Sequence, residues 1–105
     1  MTIREMTEQL PLTVLCGEEN LDQEVEGGYA SDMLSCVMAG AQKGNVWVTL
    51  LTHLNVIAVA VLLEIPVIVV TERAPVEPPV LEKAKNEGVV LLHTDDATYA
   101  MVGKL

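Results

Sequence analysis

Two histidines, His53 and His93, and one of the two arginines, Arg73, each sit just beyond a run of apolar residues. Around them stand Thr52 and Asn55, then Thr71 and Glu72, then Thr94. An imidazole beside the start of a helix is held neutral by the positive end of the helix dipole, a form suited to hydrogen bonding or metal ligation. Arg73 with His53 is the one pairing along the chain that would hold an anion. Taken singly, each residue has an ordinary structural reason to be present. Thr52 and Thr94 are good helix caps, Glu72 and Arg73 solvate a loop, and a histidine at a strand end often bonds to backbone. Their convergence points to a ligand-binding site at Thr52, His53, Asn55, Thr71, Glu72, Arg73, His93 and Thr94. The chain has no glycine-rich phosphate loop of the Walker type, no GxSxG elbow and no HExxH, and no nucleophile stands beside an obvious base. No catalytic residue or metal ligand set is therefore assigned and the cofactor stays unknown; a small enzyme using His53 or His93 is the alternative within this site.

The elements that would position these residues follow from apolar patterning. Residues 46 to 63, VWVTLLTHLNVIAVAVLL, run for 18 positions without a formal charge, long enough to raise the question of a membrane span. The run divides, however. VWVTLL is β-branched and short, Thr52 with Asn55 resembles a helix start, LNVIAVAVLLE is a helix apolar on nearly all sides, and Pro66 separates it from the strand VIVV. Thr49, Thr52, His53, Asn55 and Glu64 would also be costly in lipid, so no membrane span is expected. Elsewhere Thr2 to Gln9 predicts a short helix capped by Thr2, and TVLCG a first strand. EENLDQEVEGG predicts an edge strand with a solvated outer face. Ser31-Asp32 opens a helix with Met33, Leu34, Val37, Met38 and Ala41 on one core-facing stripe. PVEPPVLEKAKNEG predicts an amphipathic helix closed by Gly88, VVLLH a buried strand, and Thr94-Asp95-Asp96 the cap of a final helix through Tyr99 and Val102. On this reading Asp32, Asp95 and Asp96 occupy helix starts and would repel a phosphate there.

Apolar strands alternating with helices predict one α/β domain over residues 1–105, a mostly parallel sheet with helices on both faces and one short edge strand. In such a sheet ligands bind beyond the carboxyl ends of the strands, where the polar residues above collect. With 15 acidic against 6 basic side chains and a formal charge of −9, the chain has the wrong sign for nucleic acid or an anionic membrane surface. MTIREMTEQLP has no apolar targeting segment, so a cytoplasmic location is expected, with Cys16 and Cys36 as reduced core residues. Trp47, Tyr29 and Tyr99 with the apolar strands supply more hydrophobic material than so small a domain readily covers, which predicts a homodimer.

The segment EGGYASDMLSCVMAGAQKGNVWVTLLTHLNVIAVAVLLEIPVIVVTE resembles the DRTGG domain, and the likeness extends over nearly the whole chain. DRTGG domains resemble the N-terminal domain of HPr serine kinase/phosphorylase, and occur fused to phosphotransacetylase or to CBS pairs as regulatory modules; some stand-alone forms accompany iron-hydrogenase genes. In HPr kinases the nucleotide loop belongs to a separate catalytic domain, so the resemblance implies an accessory, non-catalytic module rather than a serine kinase. The name-giving Asp-Arg of the family falls where this chain has Thr52-His53-Leu54-Asn55, and its Thr-Gly-Gly falls on Thr71-Glu72-Arg73, so only Thr71 carries over. Gly27, Gly28 and Tyr29, followed by Ser31 and Asp32, match the stand-alone type and form a second candidate site. The resemblance thus implies an α/β regulatory module that senses a small molecule, such as a nucleotide or phosphometabolite. The alternative is an interaction subunit that docks on a larger redox or metabolic enzyme.

Overall fold

A computed structural model describes all 105 residues. The chain folds as α1 (Ile3–Gln9), β1 (Thr13–Cys16), a 3-10 turn (Glu18–Asn20), β2 (Gly28–Ala30), α2 (Leu34–Gly40), β3 (Val46–Thr49), α3 (Leu54–Leu62), β4 (Val67–Val70), α4 (Pro78–Glu87), β5 (Val90–His93) and α5 (Thr98–Lys104). The sheet order is β1-β5-β4-β3-β2; the four strands from β2 to β5 are parallel and β1 is antiparallel to β5. Because β2 to β5 advance across the sheet in one direction, right-handed crossovers place α2, α3 and α4 on one face. That leaves α1 and α5 for the other. No helix is long and apolar enough to cross a membrane.

The pleat divides each strand between two cores. Trp47, Ile68, Val70 and Leu91 point to the three-helix face and pack with Val37, Ile57 and Ala84. Val46, Val48, Val67, Val69 and Leu92 point the other way, onto Ile3, Met6 and Met101. Burial on both faces is the physical reason why β3 and β4 read as unbroken apolar runs.

Local chemistry explains several element ends. Thr2 and Glu5 form a reciprocal capping box at α1. Prolines begin α4, and Gly88 ends it with φ of 74°. The expected strand over EENLDQEVEGG is instead a 3-10 turn and loop, with only Gly28–Ala30 extended. Gly17 starts this departure with φ of 94°, and a Cβ there would lie 2.8 Å from the Val90 Cα, so the chain turns where only glycine fits. Leu21 then anchors the loop in the core.

Other helix starts also differ from expectation. Helix α2 begins at Leu34 rather than Ser31-Asp32, and Met33 and Met38 are 60% and 51% exposed instead of buried, because Val37 and Leu34 define the inward face. Thr94-Asp95-Asp96 does not cap α5, which begins at Thr98 after Ala97. Helix α3 is apolar on nearly all sides, yet it buries only Val56, Ile57, Val59 and Ala60; Leu54, Val61 and Leu62 face outward. A single layer of helices over the sheet can bury only the inner side of each. Trp47 is fully buried and Tyr29 partly so, leaving Tyr99, 92% exposed, as the one aromatic of the three at the surface. Of the cysteines, Cys16 is a core residue whose thiol is pushed up by burial, whereas Cys36 is exposed.

Candidate functional site

The carboxyl ends of β3, β4 and β5 lie side by side, and the turns that follow carry the predicted residues. Thr71 N donates to Thr49 O at 3.0 Å, fixing the turn after β4 beside the turn after β3. The Thr71 and Thr98 hydroxyls share a 2.6 Å hydrogen bond, and Thr98 Oγ1 is 3.2 Å from the Glu72 carboxylate. Glu72 N donates to Asp96 O and Arg73 N to Thr94 O, tying the β4 turn to the one after β5. The structure therefore brings Thr71, Glu72, Arg73 and Thr94 into one hydrogen-bonded group.

Within that group most polar atoms are already engaged. Arg73 makes a two-pronged contact with Asp95, at 3.2 and 3.3 Å, although both side chains are largely exposed and such a pair contributes little. His93 Nε2 lies 3.1 Å from Ala74 O; a carbonyl can only accept, so this nitrogen carries the proton. Thr94 Oγ1 accepts from Asp96 N in a local turn, and Asp96 in turn holds Lys104 at 2.6 Å. A small polar cleft of about 160 Å³ remains between Thr13, His93, Thr94, Asp95 and Asp96.

Glu72 and Arg73 have φ of 60° and 54°, the left-handed region that costs a non-glycine residue about 1 kcal/mol. These are the positions at which the DRTGG resemblance aligns two glycines. Sequence alone gave no sign that the left-handed turn would persist with Glu and Arg in their place.

The turn after β3 is different in character. His53 is the residue before α3, with no side-chain cap bond, and the amides of Leu54 and Asn55 donate to no group in the protein. Neither Thr52 nor Asn55 caps the helix, contrary to the sequence expectation. The side chains of Thr52, His53 and Asn55 have no hydrogen-bond partner within the chain, and His53 and Asn55 are exposed. Two residues earlier, Asp32 accepts from Thr49 Oγ1 at 2.7 Å and Leu50 N at 2.9 Å, so a carboxylate from before α2 finishes β3. Sequence reasoning placed Asp32 at a helix cap and read Thr49 only as a polar residue costly in lipid, not as its partner. A buried threonine at a strand end was the signal available.

The second candidate group does not converge on one point. Gly28 lies on the α1/α5 face of the sheet, as shown by the 3.1 Å approach of a Cβ built there to the Val46 side chain. Tyr29 points to the opposite face, where its hydroxyl donates to Cys36 O at 3.0 Å. Ser31 accepts from Met33 N through its hydroxyl and from Trp47 Nε1 through its carbonyl, while Asp32 closes the end of β3. Gly27 and Gly28 border a partly open cavity of about 410 Å³ between β2, β3, α1 and α5.

A scan against protein-family models gives no match, and a search of curated proteins gives none at significance. Among solved structures, the chain is similar to the CBS and DRTGG domains of the regulatory region of Clostridium perfringens pyrophosphatase, solved with its activator diadenosine tetraphosphate. The TM-score is 0.77 at 12% identity, covering 97% of this chain and 44% of that one. The chain thus spans less than half of that regulatory region, and at this identity what the two share is the fold.

Proposed function

We propose that the chain is a non-catalytic regulatory module that binds a small anionic metabolite, of the nucleotide or phosphometabolite class, at the turn before α3. The carrying observation is the open start of that helix: two free backbone amides, with the Thr52 hydroxyl, the His53 ring and the Asn55 amide beside them, all without partners in the chain. A helix start with free N–H groups is an anion site by geometry and by dipole, and α3 is held rigidly by its buried face. The left-handed pair at Glu72 and Arg73, in the neighbouring turn, supports the same place, because backbone strain tends to be retained at ligand sites. The related fold belongs to a regulatory region solved with a dinucleotide activator, which supports the ligand class.

A thermal-shift screen with nucleotides, phosphometabolites and divalent metals should find a ligand that raises the midpoint by mass action. His53→Ala should remove that shift while leaving the unliganded midpoint unchanged. A shift that survives His53→Ala, with NMR perturbations at Tyr29 and Ser31 instead, would move the site to the Gly27-Gly28 turn. The second reading, an interaction subunit, is favoured by the outward face of α2 and α3: residues 33–42 and 44–63 contain no charged side chain, and Met33, Met38, Leu54, Val61 and Leu62 are exposed.

A further inference from the structure

We propose that the outer edge of β2, with the apolar cavity beside it, docks an extended segment of a partner protein that carries a large apolar side chain flanked by basic residues. The edge is open. Val46 N donates to Gly27 O at 2.8 Å and Ser31 N to Val48 O at 3.2 Å, so the odd-numbered residues face β3. Strand alternation then turns the N–H and C=O groups of Gly28 and Ala30 outward, where neither N–H has a partner. Apart from its shortness, three residues, the devices that blunt such an edge, a charge, a proline or a bulge, are absent from Gly27 to Ala30. Before β2 the chain forms one isolated antiparallel bridge, Thr2 with Glu24: Val25 N donates to Met1 O at 2.8 Å, and Ile3 N to Gln23 O at 3.1 Å.

The cavity supplies a place for a side chain. Gly28 and Ala30 face it and are too small to fill the space between β2 and the helices. Val46 and Val48 form its floor, and Met6, Leu10 and Val102 line its walls. A strand added to a sheet edge gains affinity from main-chain hydrogen bonds and specificity from a pocket that takes alternate side chains.

Charge selects the occupant. Glu26 is exposed at one end of the edge and Asp32 at the other, neither with a cationic partner in the chain, although one Asp32 oxygen is already bonded at the end of β3; Glu24 is paired with the N-terminal ammonium at 3.1 Å. A second copy paired antiparallel about Tyr29 would set Glu26 opposite Asp32 twice, a like-charge pairing that destabilises a ladder. A segment with Lys or Arg on either side of its apolar residue meets opposite charge at both ends.

A displayed library of random peptides, about ten residues long to span the edge, is the probe. Selection on the intact chain should enrich sequences with a central Leu, Ile, Phe or Met between basic residues. Ala30→Pro removes an outward N–H that makes no bond in the β2–β3 ladder, and Ala30→Leu fills the cavity from the strand. Each should weaken an enriched peptide by about tenfold or more, the loss of one or two main-chain bonds or of the anchor. His53→Ala should leave the affinity unchanged, which separates this surface from the α3 turn. No enrichment, or enriched peptides that bind both Ala30 variants as well as the wild type, overturns the proposal. So does a wild-type oligomer that falls apart on Ala30→Pro, since a second copy would then be the occupant.

Discussion

Asp32 links two elements through one carboxylate. It accepts from the hydroxyl of Thr49, which is fully buried, and from the amide of Leu50, so it finishes β3. A charge-assisted pair of this kind is worth more than a neutral hydrogen bond, and its removal leaves the Thr49 hydroxyl without this acceptor inside the fold. Asp32→Ala should therefore lower stability by about 1 to 2 kcal/mol in urea denaturation, with exposure of the carboxylate keeping the loss at that level. A midpoint equal to wild type would show that the contact contributes nothing. Asp32 was legible in the sequence as a polar residue before a helix, but its partner lies 17 positions away across a strand crossover. Local capping rules see neighbours within a turn or so, and a bond of that reach lies outside them. Glu72 and Arg73 make the complementary case: their left-handed backbone belongs to the turn that joins three strand ends, while neither residue type announces it.

At the scale of elements, β1, β3, β4 and β5, the strand–helix alternation and the α4 start and stop were legible because each rests on a strong local signal, whereas β2 was not. Nor was α3. Its continuous apolar sequence predicts burial all round, yet one layer of helices leaves its outer side open, and Thr52 and Asn55 have cap-forming side chains that make no cap. Whether a residue type able to cap does so depends on the rotamer and on what else holds the turn, neither of which spacing encodes. The structure thus reverses a stability expectation. Thr52→Ala should leave the midpoint within about 0.5 kcal/mol of wild type, instead of losing the roughly 1 kcal/mol of a true cap. His53→Ser should raise stability by about 0.5 to 1 kcal/mol, because it offers the missing acceptor at a position whose φ of −84° and ψ of 158° already suit a cap. The same change should weaken any anion bound there, since the new hydroxyl takes up the amide the anion needs. Equal losses from Thr52→Ala and His53→Ser would mean that the turn is structural, and the open helix start would no longer argue for a ligand.

For the whole molecule, the distribution of charge matters more than its sum. All 15 acidic side chains lie outside residues 33–42 and 44–63, so α2 and α3 present an outward face without formal charge on a molecule of net −9. Two copies approaching through any other region bring like charges together, whereas this face lets apolar groups meet with the carboxylates held at a distance. The expected homodimer therefore does not depend on Trp47, which is buried within the monomer, but on Met33, Met38, Leu54, Val61 and Leu62. Light scattering coupled to size exclusion should give twice the 11.3 kDa of the chain at micromolar concentration. Raising the salt should tighten the dimer as the repulsion between the two acidic bodies is screened over a Debye length of about 10 Å at 0.1 M. Val61→Lys sets a charge on the face from an exposed position, so it should yield a folded monomer with an unchanged thermal midpoint at low concentration. A wild-type mass of 11.3 kDa, or a Val61→Lys variant that remains dimeric, would leave the face free for a different protein and make the interaction-subunit reading the one to pursue.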